Sequence, residues 1–283
     1  MHFTLIANSN FESTSRQVEN LKNKTDINEY YRIPILDGLE LLNAKSCTFD
    51  FPFHTHDTFN ISLILKNTFY TKLTDRFLKA PVGTICITNA KQVHATLCDH
   101  YIGNSFFTFY VSPDVIKKLN NNQDVFFKDN IIDDQNIFSE LYFLSLNLNK
   151  SDIHFEKRLK QVLTSLISKY SSNKEFSYGT KQLFQDFINN TFFDTFSLSK
   201  TALQFGMSKY KFIRLFKQET GLTPNNFILL KKIEQSKELL KNGNPIFDVA
   251  IDCGFYDNSH FYKNFKRFIG VNPLEFQNAF FAI

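Results

Sequence analysis

Between residues 38 and 110 the apolar positions fall in short runs that favour extended chain. Ile61-Ser62-Leu63-Ile64-Leu65, Thr84-Ile85-Cys86-Ile87-Thr88 and Phe106-Phe107-Thr108-Phe109-Tyr110 are rich in β-branched and aromatic residues, which pack well on a pleated surface. Turn formers punctuate them, as in Lys66-Asn67-Thr68 and Ala80-Pro81-Val82-Gly83, and several short strands at this spacing predict a β-sandwich or barrel. The pattern changes at Ser112-Pro113-Asp114, a capping serine followed by a first-turn proline, and helical periodicity dominates from there to the end. Longer helices are predicted at about 134–148 and 152–170. The second carries Phe155, Leu159, Val162, Leu163, Leu166, Ile167 and Tyr170 on one stripe. Within it Phe155, Leu159, Val162 and Leu166 step by four, three and four, the spacing of a coiled-coil seam, so this helix is expected to join two copies as a homodimer. Ser171 to Gly179 is polar and ends in Gly, and reads as an interdomain linker.

The C-terminal hundred residues contain a repeat. Ala202 and Gly206 match Ala250 and Gly254 at an offset of 48, whereas Phe212, Phe216, Gly221, Pro224 and Phe227 match Phe261, Phe265, Gly270, Pro273 and Phe276 at 49. One residue is therefore added in the second copy, between Gly254 and Phe261. Each matched position has a mechanical reason. The alanine lets two helices approach closely, and the following glycine permits the positive φ of a tight turn. Ser208 and Asp257 stand where N-caps are needed, the Phe pairs four apart lock the next helix inward, and Gly221 and Gly270 end it. Two such units are two helix-turn-helix motifs, at about 197–219 and 245–269. The helix between them, residues 224–242, is about 19 residues and roughly 28 Å long, a spacer that holds two recognition helices close to one DNA turn apart.

From Ser197 to Gln277 the chain resembles the AraC/XylS DNA-binding domain throughout. The residues that carry this are the SLSKTALQFGMS opening, RLFKQETGLTP, DVAIDCGFYDNSHFYKNFK and GVNPLEFQ. The resemblance implies a sequence-specific transcription regulator that binds double-stranded DNA, with RNA polymerase as a partner if it activates. With the Phe pairs facing inward, Lys209, Tyr210, Ile213, Arg214 and Lys217 are exposed on the first recognition helix, behind Ser208. Arg214 falls where the family commonly carries a base-contacting arginine and is suited to bidentate readout of guanine; Tyr210 and Ile213 suit base edges or thymine methyls. Lys209, Lys211 and Lys217 suit phosphates. In the second unit Asn258, His260, Tyr262 and Lys263 lie at or near the groove, with Lys266 and Arg267 as phosphate contacts. Lys263 replaces an arginine common in the family, so weaker discrimination is expected from this unit.

Pro52-Phe53-His54-Thr55-His56-Asp57, with Pro81-Val82-Gly83 and Val93-His94, resembles the cupin-like sensing domain that precedes this module in many family members. His54, His56 and His94 follow the order of cupin metal ligands, two on one strand and one on a later strand. The carboxylate that usually follows is missing, since the chain there reads Thr58-Phe59-Asn60. These histidines are accordingly expected to line a small-molecule effector site, with no metal and no cofactor. The expected class is α+β, with an N-terminal cupin-like β-barrel carrying helices and a C-terminal all-α domain. The expected domains are 1–170 for sensing and dimerisation, 171–180 as linker and 181–283 for DNA binding.

Charge sharpens this picture. Residues from 181 onward hold 13 Lys/Arg and 9 Asp/Glu, so the whole net charge of +4 sits there and the rest is neutral. A basic module carried by a neutral one is the footprint of nucleic-acid binding. The 34 Phe and absence of Trp accompany many Ile, Asn and Lys, whose codons are AT-rich, so Phe fills cores where Leu is more usual. Cys47, Cys86, Cys98 and Cys253 are scattered without a CxxC pair, as suits reduced thiols in cytoplasm. No apolar run approaches the roughly 20 residues of a membrane span, and MHFTLIANSN lacks the pattern of a secretory signal. A cytoplasmic protein that is not an enzyme is therefore expected. The competing readings are a regulator that takes no small molecule and a cupin-type metal-dependent enzyme.

Overall fold

The computed structural model describes residues 27–148, 153–172, 183–184, 187–188 and 196–281. The N-terminal segment read for a secretory signal, and the linker beyond Ser172, lie outside these residues.

Extended runs form β1 (Ile27–Ile33), β2 (Leu39–Cys47), β3 (Phe51–His54), β4 (Phe59–Lys66), β5 (Phe69–Leu73), β6 (Phe77–Ala80), β7 (Ile85–Thr88), β8 (His94–Leu97), β9 (Asn104–Val111) and β10 (Ile131–Ile132). They pair as two sheets, one ordered β1-β2-β9-β4-β7-β10 and the other β3-β8-β5-β6. The described strands thus make an open two-sheet sandwich rather than a closed barrel. Two strands lie outside the stretch whose pattern predicted them. Strand β1 precedes it, and β10 is a two-residue edge on β7 within a region that reads as helical.

The central strand β4 is buried on both faces over Phe59–Ile64. Side chains alternate along a strand, so Phe59, Ile61 and Leu63 point one way and Asn60, Ser62 and Ile64 the other. The first set joins Leu39, Leu41, Ile85, Ile87, Phe107 and Phe109 in an apolar layer. Helices α1 (Pro113–Leu119), α2 (Gln135–Leu146) and α3 (Ile153–Tyr170) cover it. Ser112 caps α1 by accepting from the Val115 amide at 3.2 Å. The whole α3 stripe belongs to this layer: Phe155, Leu159, Val162, Leu163, Leu166 and Ile167 are all buried within the chain. The expected dimer seam is therefore consumed internally. A sheet face this apolar must be covered, and burying each Leu, Ile or Phe contributes about 1.5–3 kcal/mol.

The C-terminal helices are α4 (Leu198–Gln204), α5 (Lys209–Thr220), α6 (Pro224–Lys241), α7 (Ile246–Asp252), α8 (Asn258–Ile269) and α9 (Pro273–Phe281). The repeat is visible in the backbone. Gly206 and Gly254 take φ of 63° and 66° in the two inter-helix turns. Ser208 and Asp257 accept from the Lys211 and His260 amides, and Gly221 and Gly270 close α5 and α8 in the left-handed conformation. Phe212 and Phe216 pack with Phe184, Phe187 and Phe205, while Phe261 and Phe265 pack with Phe255 and Phe276.

The helical part packs directly on the sandwich, and one hydrophobic core runs through both. Both recognition-type helices end against the sandwich, α5 at the Thr74 and Val93 loops and α8 at Leu42 and Phe51. A Cβ on Gly221 would lie 2.9 Å from Thr74, and one on Gly270 3.2 Å from Leu42. Only glycine fits there, because φ is positive and the neighbouring element is already in contact. Asn28 of β1 also donates to the Gly270 carbonyl at 2.7 Å, and the Tyr30 ring lies tilted against Phe276 of α9, with centroids 5.1 Å apart.

Candidate functional site

Among the described residues two places carry chemistry beyond packing: the outer faces of α5 and α8, and a histidine-lined chamber in the sandwich that meets α6 and α8.

On α5 the inward turn of Phe212 and Phe216 leaves Lys209, Tyr210, Lys211, Arg214 and Lys217 exposed and Ile213 half-buried. Tyr210 is 86% exposed although it is aromatic. Ser208 is occupied as the cap, with its hydroxyl 3.3 Å from the Lys211 amide. On α8, His260, Tyr262, Lys263, Lys266 and Arg267 are exposed and Asn258 is half-buried. The side-chain oxygen Oδ1 of Asn258 is buried and has no hydrogen-bond partner among the described residues. Lys266 directs its ammonium over the Phe49 ring at 5.7 Å, toward the sandwich. No acidic side chain pairs with Lys209, Lys211, Arg214, Lys217, Lys263 or Arg267 among the described residues. Their charges stay available to an external anion. The two helices are joined by α6, whose 18 residues span about 27 Å at 1.5 Å each.

One exposed residue escaped sequence reasoning. Tyr256 is 93% exposed in the turn before α8. Met207 and Phe255 correspond at the earlier offset, and Ser208 and Asp257 at the later one, so Tyr256 is the residue added in the second copy. The insertion itself was the signal.

The second place begins with the inner faces of the two sheets. Asn60, Ser62, Thr71, Thr88, Thr96 and Thr108 are all buried there around a cavity of about 40 Å³. Ser62 and Thr108 share a hydrogen bond of 2.8 Å between their hydroxyls. Hydroxyls and amides in such a place are costly unless paired or hydrated, and here they share the lumen with Leu42, Phe51, Phe69 and Phe106.

His54, His56 and His94 stand at the mouth of this cavity. His54 ends β3 and pairs in register with His94 of β8. His56, expected on the same strand as His54, lies instead in the loop that follows. The β3 ladder is irregular before His54, and the His56 carbonyl is held by the Lys91 amide at 2.7 Å. The His54 and His56 Nε2 atoms are 2.9 Å apart, and one ring nitrogen from each of the three lies within 4.8 Å of the others. His54 Nδ1 hydrogen-bonds the Pro52 carbonyl, and His94 Nδ1 that of Gln92 at 2.9 Å. Burial, reinforced by His94, draws the His54 imidazole down to about 3, and burial draws His94 to about 4. His56 is pushed well below its usual value by burial and then by the other two rings. All three are neutral near pH 7.

Beside them a cleft of about 650 Å³ opens between the sandwich and helices α6 and α8. Glu40 of β2 lies on its wall, with the Lys241 ammonium at 3.0 Å and that of Lys237 at 3.6 Å. The Tyr30 hydroxyl donates to the same carboxylate. Burial alone would raise this acid, but the two ammonium groups and the phenol outweigh it and hold Glu40 at about 2. Phe268 of α8 closes the other wall, its ring edge-on to His54 at 6.2 Å. Glu40, Lys237, Lys241 and Phe268 were not predicted, because nothing in their local sequence marks them as partners across two modules.

Comparison with known proteins agrees with this division. A family described as a helix-turn-helix domain matches residues 201–279. The uncharacterised regulator YbfI of Bacillus subtilis is 26% identical over 237 residues, covering 78% of this chain and 85% of that protein. The transcriptional activator RhaS of Escherichia coli O157:H7 is 28% identical over 113 residues, 40% of this chain and 41% of RhaS. Among solved structures, apo ToxT K231A of Vibrio cholerae superposes over 91% of this chain and 98% of its own, with a TM-score of 0.52 at 13% identity. That likeness is one of fold, a β-rich N-terminal domain followed by a helical one.

Proposed function

We propose that this chain, a member of the AraC/XylS family of transcription regulators, inserts α5 and α8 into successive major-groove segments of double-stranded DNA and is controlled by a small molecule taken up by its N-terminal domain. The carrying observation is the pair of equivalent helix-turn-helix units, whose basic outer faces meet no acidic side chain among the described residues, joined by one helix. Arg214 reads a base and Lys209, Lys211, Lys217 and Arg267 hold phosphates. Asn258, His260, Tyr262 and Lys263 supply the second unit's contacts, while Lys266 is shared with the sandwich. His54, His56 and His94 form the inner end of the effector site, and the cleft along α6 is its entrance.

The chain acts as a regulator and not as an enzyme, in the cytoplasm, and meets RNA polymerase at promoters it activates. Among the described residues no helix is long and apolar enough to cross a membrane. A homodimer would use what the α3 seam does not: the exposed Tyr142, Phe143 and Leu146 of α2 and Ile153 at the start of α3. Protection of two groove segments about one helical turn apart in a footprint of its operator supports this reading. A single protected segment, or no protection on any fragment selected from random DNA, overturns it.

A further inference from the structure

We infer that His54, His56 and His94 bind one divalent first-row metal ion of the zinc class, and that its occupancy is communicated to α8 through Phe268. This deepens the effector reading above and rests on it. The missing carboxylate argued against a metal when only the spacing was known. The geometry supplies what spacing could not. Three imidazoles converge at the mouth of the sandwich cavity, with one nitrogen of each within 4.8 Å of the other two. Zinc takes nitrogen ligands at about 2.0–2.1 Å, which sets them roughly 3.3 Å apart, so an ion would draw the wider pairs together and spread the 2.9 Å His54–His56 contact.

The hydrogen bonds select the right nitrogens. On His54 and His94 the Nδ1 atoms face backbone carbonyls, so Nδ1 carries the proton and Nε2 presents its lone pair. Carbonyl support of this kind is how proteins orient metal-binding imidazoles. The His54 Nε2 lone pair then accepts the proton on His56 Nε2. An ion would take that proton's place as His56 shifts its hydrogen to Nδ1. Imidazole donors suit zinc, copper, iron and nickel rather than magnesium or calcium. The cavity of about 40 Å³ beside the three rings has room for a water near Thr71, Thr96 and Thr108, which line it.

The site has a reader. Phe268 is 2% exposed and touches His54 edge-on, seven residues along α8 from Phe261 on the helix's inner side. An ion that fixes the His54 ring also fixes the surface on which α8 rests. The opposite side of that helix carries the residues assigned to DNA.

The test titrates full-length protein, freed of metal by a chelator, with Co²⁺ as a visible probe. The expected result is a d–d absorption band that saturates at one equivalent, is abolished by Zn²⁺, and is weakened at least 100-fold in His56→Ala and in His94→Asn. Circular dichroism confirms that each variant is folded, and His56→Ala serves should the more buried His94 not tolerate change. In Phe268→Leu the band should persist while Zn²⁺ no longer slows hydrogen exchange in α8. A folded wild type with no band at millimolar Co²⁺, or a band that survives both histidine changes, overturns the site. An α8 whose exchange ignores Zn²⁺ in the wild type overturns the communication. DNA binding by the metal-free protein is measured in parallel. If it is retained without any metal site, this inference fails and the regulator reading stands; if metal binds but DNA never does, the reverse holds.

Discussion

Glu40 is a half-buried carboxylate that ties the sandwich to α6 of the DNA-binding part, and replacing it tests how the two are held. Glu40→Gln preserves the shape and an acceptor for the Tyr30 hydroxyl but removes the charge facing Lys237 and Lys241. The magnitude follows from the acidity. Holding this carboxyl at about 2 instead of its ordinary 4.5 corresponds to roughly 3 kcal/mol in favour of the ionised folded state. The side chains of Glu40, Lys237 and Lys241 are 16%, 22% and 25% exposed, so screening removes only part of this, and about 2–3 kcal/mol is expected. Fully exposed pairs would give about 0–1 kcal/mol. The folded-state value lies below the unfolded one. The stabilisation is therefore complete above about 4.5 and is lost as pH falls through about 2. Urea denaturation of the wild type and Glu40→Gln should show the full gap at pH 7, roughly half of it at pH 3, and convergence near pH 2. A double-mutant cycle with Lys237→Gln should recover much of the difference as coupling. A variant within about 0.5 kcal/mol of the wild type at pH 7, or a gap that does not shrink on acidification, would refute the argument that these lysines hold the interface.

Other expected outcomes concern the DNA face and its support. Arg214→Ala should lower affinity for the operator by about 1–3 kcal/mol while leaving random DNA almost unaffected, as read by competition mobility shifts; an equal loss on both would remove its base-reading role. Lys217→Ala should weaken specific and random DNA by similar factors and make the salt slope shallower by about one. Phe212→Ala should destabilise the first helix-turn-helix unit by about 3–5 kcal/mol, because the ring is fully buried among Phe184, Phe205 and Phe216; a loss under about 1 kcal/mol in thermal unfolding would contradict that packing. Full-length protein should sediment as a dimer that Phe143→Lys converts to monomer, and an unchanged sedimentation coefficient in the variant would rule out the α2 surface.

The amino-acid sequence by itself determined every feature set by local rules. The two turns, their caps at Ser208 and Asp257 and the inward Phe pairs were legible because a helix-turn-helix is built from contacts within about twenty residues, and the repeat displayed them twice. The stripe on α3 was equally legible as a stripe. Its partner was not. An apolar spacing of four, three and four says that a surface must be covered, and the sheet within the same chain covers it as well as a second chain would. Tertiary structure also decided the polar lumen: Asn60 and Ser62 alternate with Phe59, Ile61 and Leu63 as they would on a solvated strand, and only the second sheet turns that wet face into a chamber. The histidines show the same division. Their order along the chain indicated a shared site, but the spacing misplaced His56 and was silent on the Nδ1 tethers to Pro52 and Gln92. Nor does any local pattern link Glu40 to Lys237 and Lys241, or His54 to Phe268. These pairs are about two hundred residues apart, and they meet only because both recognition-type helices end on the sandwich.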